Sequence, residues 1–214
     1  MPEPSHLTRT RDAYDAIAAD YATAFCGELA GMPLERALYA AFAELVLAAG
    51  GGPVADLGCG PGHVTAHLTG LGLDVFGVDL SPGMVALARA TMPAPRFEVG
   101  SLTALDVPDG SLAAAVALYS LIHLPPTELP AALRELHRVV RPGGQLLVAS
   151  QVGGGQRHRA EAFGHAVALD YCWPHADDLA AVLTGAGFTV HARLLREPAR
   201  ETEQVPRVHL LARR

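Results

Sequence analysis

The 214-residue sequence contains no lysine and no asparagine. All sixteen basic residues are therefore arginines, set against twenty-two acidic residues for a net charge of −6. Without lysine the chain cannot form a lysine Schiff base or hold a nucleotide on a Walker A lysine. The acidic balance argues against a nucleic-acid surface, because such surfaces need a basic face. We therefore expect no nucleic-acid partner.

Long apolar runs and paired cysteines are also missing. No apolar run approaches the roughly 18 residues of a membrane span, and the charged N-terminus lacks the apolar core of a signal peptide. The three cysteines, Cys26, Cys59 and Cys172, form no CxxC pair and indicate reduced thiols. These features predict a cytoplasmic protein with no membrane partner. The length predicts one domain over residues 1–214, and we expect a monomer or homodimer.

Residues 54–62 read Val-Ala-Asp-Leu-Gly-Cys-Gly-Pro-Gly, an apolar run followed by glycine at every second position. An apolar run that ends in glycines and opens a helix near Pro61 predicts the first strand, turn and helix of an α/β nucleotide-binding sheet. The helix start presents unpaired N–H groups to an anionic ligand. A dinucleotide fingerprint requires glycine at position 63, where His63 stands. This mismatch disfavours an NAD-dependent oxidoreductase, one alternative function.

The acidic Asp56 followed by Gly58, Gly60 and Gly62 resembles motif I of the class I S-adenosylmethionine (SAM) methyltransferases. Residues 138–149, which contain Pro-Gly-Gly, resemble the helix-to-strand signature of the same family. The resemblance implies an α/β, Rossmann-like, doubly wound sheet of seven strands with helices on both faces. Its strand order is 3-2-1-4-5-7-6, with strand 7 antiparallel. It also implies S-adenosyl-L-methionine as cofactor and S-adenosyl-L-homocysteine as product.

The resemblance covers residues 10–214 and divides the chain into three parts. Residues 1–50 are expected to form a helical lid, 51–152 the cofactor-binding core, and 153–214 a substrate-side cover with the C-terminal strands. Helices are predicted at 10–25 and 33–49, the second burying an apolar face with Leu34, Leu38, Phe42, Leu45 and Val46. Within the cover, residues 153–164 are expected to be the least regular, followed by a strand at 166–173, a helix at 177–186 and strands at 188–196 and 205–212.

Asp79 stands at the carboxyl end of the second predicted strand, where a carboxylate can accept hydrogen bonds from both hydroxyls of a ribose. The alternative is an aspartate that supports the next helix cap, a role that Ser81 followed by Pro82 already fills. Ser101 occupies the position at which family members place an aspartate that bonds adenine. The predicted cofactor-binding residues are Tyr14, Tyr21, Asp56, Gly58, Cys59, Gly60, Gly62, Asp79, Leu80, Met84, Gly100, Ser101, Leu102 and Tyr119.

The end of the fourth strand separates methyltransferase subclasses. Residues 117–120 read Ala-Leu-Tyr-Ser, without the Asp/Asn-Pro-Pro-aromatic motif of enzymes that methylate nucleic-acid amines. No cysteine follows a proline, as cytosine C5 methylation requires, and the apolar strand end offers no metal ligands. We therefore expect metal-independent transfer to an O, N or C atom of a small molecule, as in bacterial secondary metabolism.

His123 follows the fourth strand, near the place where the methyl group should lie. Histidine is suited to accept a proton at neutral pH. His123 either removes a proton from the acceptor, as the catalytic residue, or packs beneath the acceptor pocket, and the sequence favours neither. The predicted acceptor-contacting residues are Tyr14, His123, Gln151, His165 and Tyr171. A SAM-binding accessory or regulatory protein without transferase activity remains a further alternative.

Overall fold

The structure, a computed structural model, describes residues 5–200 and 203–214. Its helices are α1 Ser5–Phe25, α2 Pro33–Ala48, α3 His63–Gly70, α4 Pro82–Thr91, α5 Leu129–Val139 and α6 Ala176–Gly185. Its strands are β1 Pro53–Leu57, β2 Asp74–Asp79, β3 Phe97–Val99, β4 Leu112–Leu118, β5 Val140–Gln151, β6 Gln156–Ala162, β7 His165–Cys172, β8 Thr189–Arg196 and β9 Arg207–Arg213. No helix among the described residues is long and apolar enough to cross a membrane.

Seven strands form one sheet in the order β3-β2-β1-β4-β5-β9-β8. Strands β1 to β5 pair in parallel, whereas β9 runs antiparallel to both β5 and β8. With the separate β6–β7 hairpin left out of the count, this is the predicted order 3-2-1-4-5-7-6 with its last strand antiparallel. The predicted fold class is confirmed. In a parallel sheet of this kind, ligands bind at the carboxyl ends of the strands beside the β1–β4 switch point.

Helices cover both faces of the sheet, and the strand sequences explain why. Alternate residues of a strand point to opposite faces. Ala114 packs with α2 and α3, whereas Ala115, the next residue, packs with α5 and α6. The same alternation holds for Leu146 and Leu147 in β5, so the central strands, which are mostly apolar on both sides, have a core on each face of the sheet.

The cover segment corrects one prediction. Residues 153–164 were expected to be the least regular, but Gln156–Ala162 forms β6 and pairs antiparallel with β7 in a separate two-stranded sheet. The predicted strand at 166–173 is this partner, shifted by one residue. The sequence of β6 has no apolar alternation because most of its side chains are exposed and only Ala162 is buried. The segment therefore forms a strand because its backbone pairs with β7, not because of its own side-chain pattern.

The predicted buried face of α2 is also partly wrong. Leu34 and Leu45 are exposed, at 51% and 39%, whereas Glu35 is 3% exposed. Glu35 accepts a hydrogen bond from Arg196 of β8 at 2.8 Å, and Arg196 also binds Glu203 at 2.7 Å. A buried carboxylate needs such a partner. The buried face of α2 therefore contains Glu35, Tyr39 and Ala43 in addition to the predicted Phe42 and Val46.

Candidate functional site

A tight glycine turn follows β1 at the carboxyl edge of the sheet. Gly58 has a φ of +80°, a conformation that side chains disfavour, and a Cβ there would lie 2.3 Å from Cβ of Ser120. Its N–H and that of Cys59 both donate to the carbonyl of Val78 in β2, at 2.7 and 3.1 Å. Only glycine satisfies both the dihedral angle and the close approach to Ser120. The turn is thereby held against the end of β4.

Asp79, the last residue of β2, lies in the same wall. One carboxylate oxygen accepts the N–H of Gly60 at 2.8 Å and the other accepts that of Ser81 at 2.8 Å. Burial raises the pKa of Asp79, while these two hydrogen bonds oppose the rise. The carboxylate therefore has fixed oxygens, and each can accept a further hydrogen bond.

Asp56, in β1, is buried deeper than Asp79. It is 2% exposed and accepts a hydrogen bond from the Thr65 hydroxyl at 2.7 Å. Burial raises the pKa of Asp56 to about 7, although the bond from Thr65 works in the opposite direction. Because Thr65 belongs to α3, this contact joins the first strand to the helix after the glycine turn.

The glycine turn and the strand ends surround a cavity of about 200 Å³, named here the first cavity. Thirteen of the fourteen predicted cofactor-binding residues line it: Tyr14, Tyr21, Asp56, Gly58, Cys59, Gly60, Asp79, Leu80, Met84, Gly100, Ser101, Leu102 and Tyr119. Gly62 does not. A Cβ on Gly62 would meet the side chains of Met92 and Phe97 at 2.3 and 3.0 Å. Glycine here therefore lets the turn before α3 pack closely against β3 and the residue that follows α4.

Asp15 fastens α1 over this cavity, and the sequence reading missed it. Its carboxylate accepts hydrogen bonds from the hydroxyl of Ser81 and, at 2.8 Å, from the N–H of Gly83. Ser81 also caps α4, because its oxygen accepts the N–H of Met84 at 3.0 Å. Asp15 follows Tyr14 directly in the sequence of the N-terminal helix. Its partners lie 66 and 68 residues away, so the contact could not be identified from spacing.

His123 is held between two partners. Its Nδ1 lies 3.0 Å from the carbonyl oxygen of Asp170, and its Nε2 lies 2.8 Å from the hydroxyl of Tyr14. A carbonyl only accepts, so Nδ1 carries the proton and neutral Nε2 accepts from Tyr14. Burial lowers the pKa of His123 to about 4. Burial also raises the pKa of Tyr14, so at neutral pH both side chains are uncharged.

A larger second cavity of about 660 Å³ adjoins the first. Tyr14, Tyr21 and Tyr119 line both cavities, so they form the boundary between them. Tyr119 is one of two described non-glycine residues with positive φ, at 58°. The remainder of the second cavity is formed by the β6–β7 hairpin, the end of α1 and the residues before β9.

Three of the five predicted acceptor-contacting residues lie together: the Tyr14 hydroxyl is 2.8 Å from Nε2 of His123, and the rings of His123 and Tyr171 are 4.9 Å apart between centroids. Tyr14, Gln151 and Tyr171 line the second cavity, whereas His123 lines the first and is 8% exposed. His165 lines neither of these two cavities and lies 3.0 Å from the carboxylate of Asp20.

The predicted site residues omit several polar residues of the second cavity, Arg157, Arg159 and Trp173 among them. The Arg-His-Arg sequence at 157–159 was a signal, because alternate residues of a strand share one face. It could be used only once that segment was known to be a strand. Among residues 5–200 and 203–214, no group of three or more His, Cys, Asp or Glu side chains could hold a metal ion.

Comparison with known families accords with this geometry. Residues 54–144 match the family described as a methyltransferase domain. The fold matches the solved structure of the Burkholderia thailandensis 1,6-didemethyltoxoflavin-N1-methyltransferase, which contains S-adenosylhomocysteine. The TM-score is 0.74 and the identity 22%, over 100% of this chain and 92% of that one. Residues 54–144 therefore form a methyltransferase domain, on a fold shared with a solved methyltransferase that contains S-adenosylhomocysteine. The family uses SAM as its methyl donor.

Two curated methyltransferases are similar in sequence. The malonyl-[acyl-carrier protein] O-methyltransferase of Serratia marcescens is 31% identical over 162 residues, which is 74% of this chain and 56% of that protein. The demethylmenaquinone methyltransferase of Beutenbergia cavernae is 34% identical over 136 residues, 64% of this chain and 55% of that protein. The chain thus spans just over half the length of each.

The first cavity fits the cofactor of this methyltransferase family. A Cβ at Gly58 would clash with Ser120, so glycine holds the turn against the end of β4, and Gly58 and Gly60 of this turn line the cavity. The Asp79 carboxylate, a suitable acceptor for a vicinal diol, lies in the wall beside it. Leu80, Leu102 and Met84 add apolar surface suited to a flat adenine ring.

Proposed function

We propose that this protein transfers the methyl group of SAM to an oxygen, nitrogen or carbon atom of a small molecule, without a metal ion, in the cytoplasm. The observation that carries the proposal is the pair of adjoining cavities with Tyr14 and Tyr119 in both walls. When bound, SAM supplies a methyl group on a sulfonium, which is already activated for transfer. The protein then has to hold the acceptor in line and exclude water, and orientation alone contributes up to ~7–11 kcal/mol.

In this proposal Asp79 binds the ribose hydroxyls, while Gly58 and Gly60 let the backbone approach the ligand. Ser101 accepts from, or donates to, the adenine edge, in place of the aspartate of related proteins. The N-terminal segment acts as a lid over residues 5–50, residues 1–4 of the predicted lid lying outside the described chain, and Asp15 fastens its helix α1 to α4. Residues 51–152 hold the cofactor and 153–214 cover the acceptor.

We assign contact with the acceptor to the hydroxyl of Tyr14 rather than to His123. Both ring nitrogens of His123 are engaged, one by Asp170 and the other by Tyr14 itself. Tyr14, in contrast, lines both cavities and retains lone pairs on its oxygen. His123 is thus a positioning residue that orients Tyr14.

A base role for His123 is limited by its pKa of about 4. Placing a proton on such a group at pH 7 costs about 4 kcal/mol, since each pKa unit is worth 1.36 kcal/mol. A proton from the acceptor could pass through Tyr14 to Nε2, but only transiently. The arrangement therefore suits an acceptor that is acidic or already deprotonated.

The test is a turnover assay in EDTA that measures S-adenosylhomocysteine formed with phenolic, carboxylic and amine acceptors. We expect turnover with at least one acidic acceptor, and a loss of roughly 10²-fold or less in kcat for Tyr14→Phe with unchanged SAM affinity. SAM binding without turnover on any acceptor would favour the accessory-protein alternative. Turnover that depends on added magnesium would contradict the metal-independent reaction.

Substitution of His123 separates positioning from packing. We expect His123→Gln to lower kcat in parallel with Tyr14→Phe, and the double variant to lose no more than either single one, because both changes remove one unit. If His123 positions Tyr14, kcat of the wild type should fall only at acid pH, with an apparent pKa near 4, which is the pKa of His123. If the two single losses multiply in the double variant, His123 does not act through Tyr14.

A further inference from the structure

The second cavity contains four arginines that differ in their pairing. Arg200 is paired with Glu28 at 2.7 Å, and Arg207 with Glu203 at 3.2 Å. Among the described residues, neither Arg157 nor Arg159 has a carboxylate within 4.0 Å. Arg157 donates instead to the neutral amide oxygen of Gln204. Two cationic side chains of this cavity are therefore left without a charged partner.

The register of the hairpin directs both side chains to the cavity. Arg157 lies opposite Tyr171 and Arg159 opposite Leu169 in the antiparallel pair, and directly opposed residues share one face of the ladder. Leu169 packs against α1 and is fully buried, so this is the face turned toward the lid. His158, between them, points the other way and lies 2.7 Å from the carboxylate of Asp170. Arg159 also lowers the pKa of Tyr171, against a larger rise caused by burial.

Two buried polar atoms of this cavity have no hydrogen-bond partner among the described residues, one an acceptor, Oε1 of Gln151, and the other a donor. The indole N–H of Trp173 is buried, lines the same cavity and has no hydrogen-bond partner among the described residues. A buried donor without a partner costs free energy unless a ligand or water satisfies it. Glu161 is the one carboxylate of this cavity with no arginine within 4.0 Å in the described chain, and a register shift separates it from Arg159.

We propose that the methyl acceptor carries an oxyanion, such as a carboxylate or phosphonate, which Arg157 and Arg159 bind in the second cavity. This inference rests on the proposed function, because it names the substrate class of the same site. Guanidinium groups match the two oxygens of such an anion with parallel hydrogen bonds. Aromatic side chains of the same cavity, Tyr171 and Trp173 among them, provide flat surface for the rest of the molecule.

The experiment uses protein saturated with S-adenosylhomocysteine and matched acid and amide probes. The pairs are benzoate with benzamide and 4-hydroxybenzoate with 4-hydroxybenzamide, and phenylphosphonate tests a second oxyanion. Calorimetric titration gives each affinity for the wild type, for R157Q/R159Q, and for R134Q. Arg134 is an exposed arginine of α5 and serves as the matched control for charge.

We expect the acids to bind the wild type and R134Q roughly tenfold or more tightly than their amides, as charge-assisted hydrogen bonds do. The preference should disappear in R157Q/R159Q while the affinity for S-adenosylhomocysteine stays within twofold. Acids that bind no better than amides, or a preference that survives in R157Q/R159Q, would overturn the inference. Failure to bind S-adenosylhomocysteine at the outset would instead contradict the proposed function, so the two failures are distinguishable.

Discussion

The two cavities are built in different ways. The first is formed by backbone at the ends of parallel strands, with Gly58 and Asp79 fixed by hydrogen bonds to main-chain groups. The second is formed by side chains on the β6–β7 hairpin, where most β6 positions are exposed. A cavity wall made of backbone keeps its shape when side chains are substituted. A wall made of side chains changes shape and charge with each substitution, and so can bind a different ligand. The cofactor and acceptor parts of this molecule are therefore expected to respond differently to mutation.

The glycine turn gives the largest expected effect. Gly58→Ala places a Cβ 2.3 Å from Ser120 at a φ of +80°. We expect a loss of roughly 2–5 kcal/mol in the free energy of unfolding, from backbone strain and overpacking together. Gly60→Ala has a φ of +54° but no atom within 4 Å of the new Cβ, so about 1–2 kcal/mol is expected from strain alone.

Gly70→Ala is the control for the turn, because Gly70 belongs to α3 and its added Cβ meets no atom within 4 Å. It should stabilise the protein by about 0.4–1 kcal/mol. Urea denaturation of the three variants checks the ranking. If Gly58→Ala and Gly60→Ala lower the free energy of unfolding equally, the added Cβ at position 58 does not clash with Ser120.

Asp79 tests the cofactor side next. Asp79→Ala removes the acceptors of Gly60 and Ser81 and, in our proposal, those of the ribose. We expect SAM affinity to fall by about 1–3 kcal/mol, roughly 5- to 150-fold. Asp74→Ala, at the exposed opposite end of β2, is the matched control and should leave the affinity unchanged. A folded Asp79→Ala protein with wild-type affinity would contradict the ribose assignment.

His123 makes the free energy of unfolding depend on pH. Its pKa is about 4 in the folded protein and 6.5 ordinarily, so between these values the unfolded chain binds a proton that the folded one does not. The free energy of unfolding therefore falls as the pH decreases from 6.5 toward 4. We expect the stability difference between wild type and His123→Gln to shrink by roughly 2 kcal/mol from pH 7 to pH 4.5. Parallel stability profiles for the two proteins would argue against a buried neutral His123.

The fastening of α1 gives the smallest expected effect. Asp15→Ala removes the acceptor of Ser81 and Gly83, which should cost about 1 kcal/mol. We expect amide hydrogen exchange in α1 to accelerate by roughly fivefold, while exchange in the central strands stays unchanged. Asp12→Ala, at an exposed position of the same helix, is the control. Faster exchange throughout the sheet would show that Asp15 supports the whole fold rather than the lid.

The first cavity could be predicted from the sequence because its chemistry is local. Glycines at alternate positions after an apolar run, and an aspartate at the end of the next strand, impose the turn wherever the chain is placed. The second cavity could not, since its contacts join distant segments: Tyr14 meets His123 across 109 residues, and Arg196 buries Glu35 across 161. Strand β6, which has few apolar residues, depends on its partner for the same reason.

Calorimetric titration of the wild-type protein with SAM and, separately, with NAD⁺ tests the central claim most directly. The glycine turn lacks the third glycine of a dinucleotide site, at position 63, and Asp79, the residue that we propose binds one ribose, lines the first cavity. We predict one SAM bound per chain, displaced by S-adenosylhomocysteine, and no heat with NAD⁺. Saturable binding of NAD⁺, or no binding of SAM, would contradict the assignment of the first cavity.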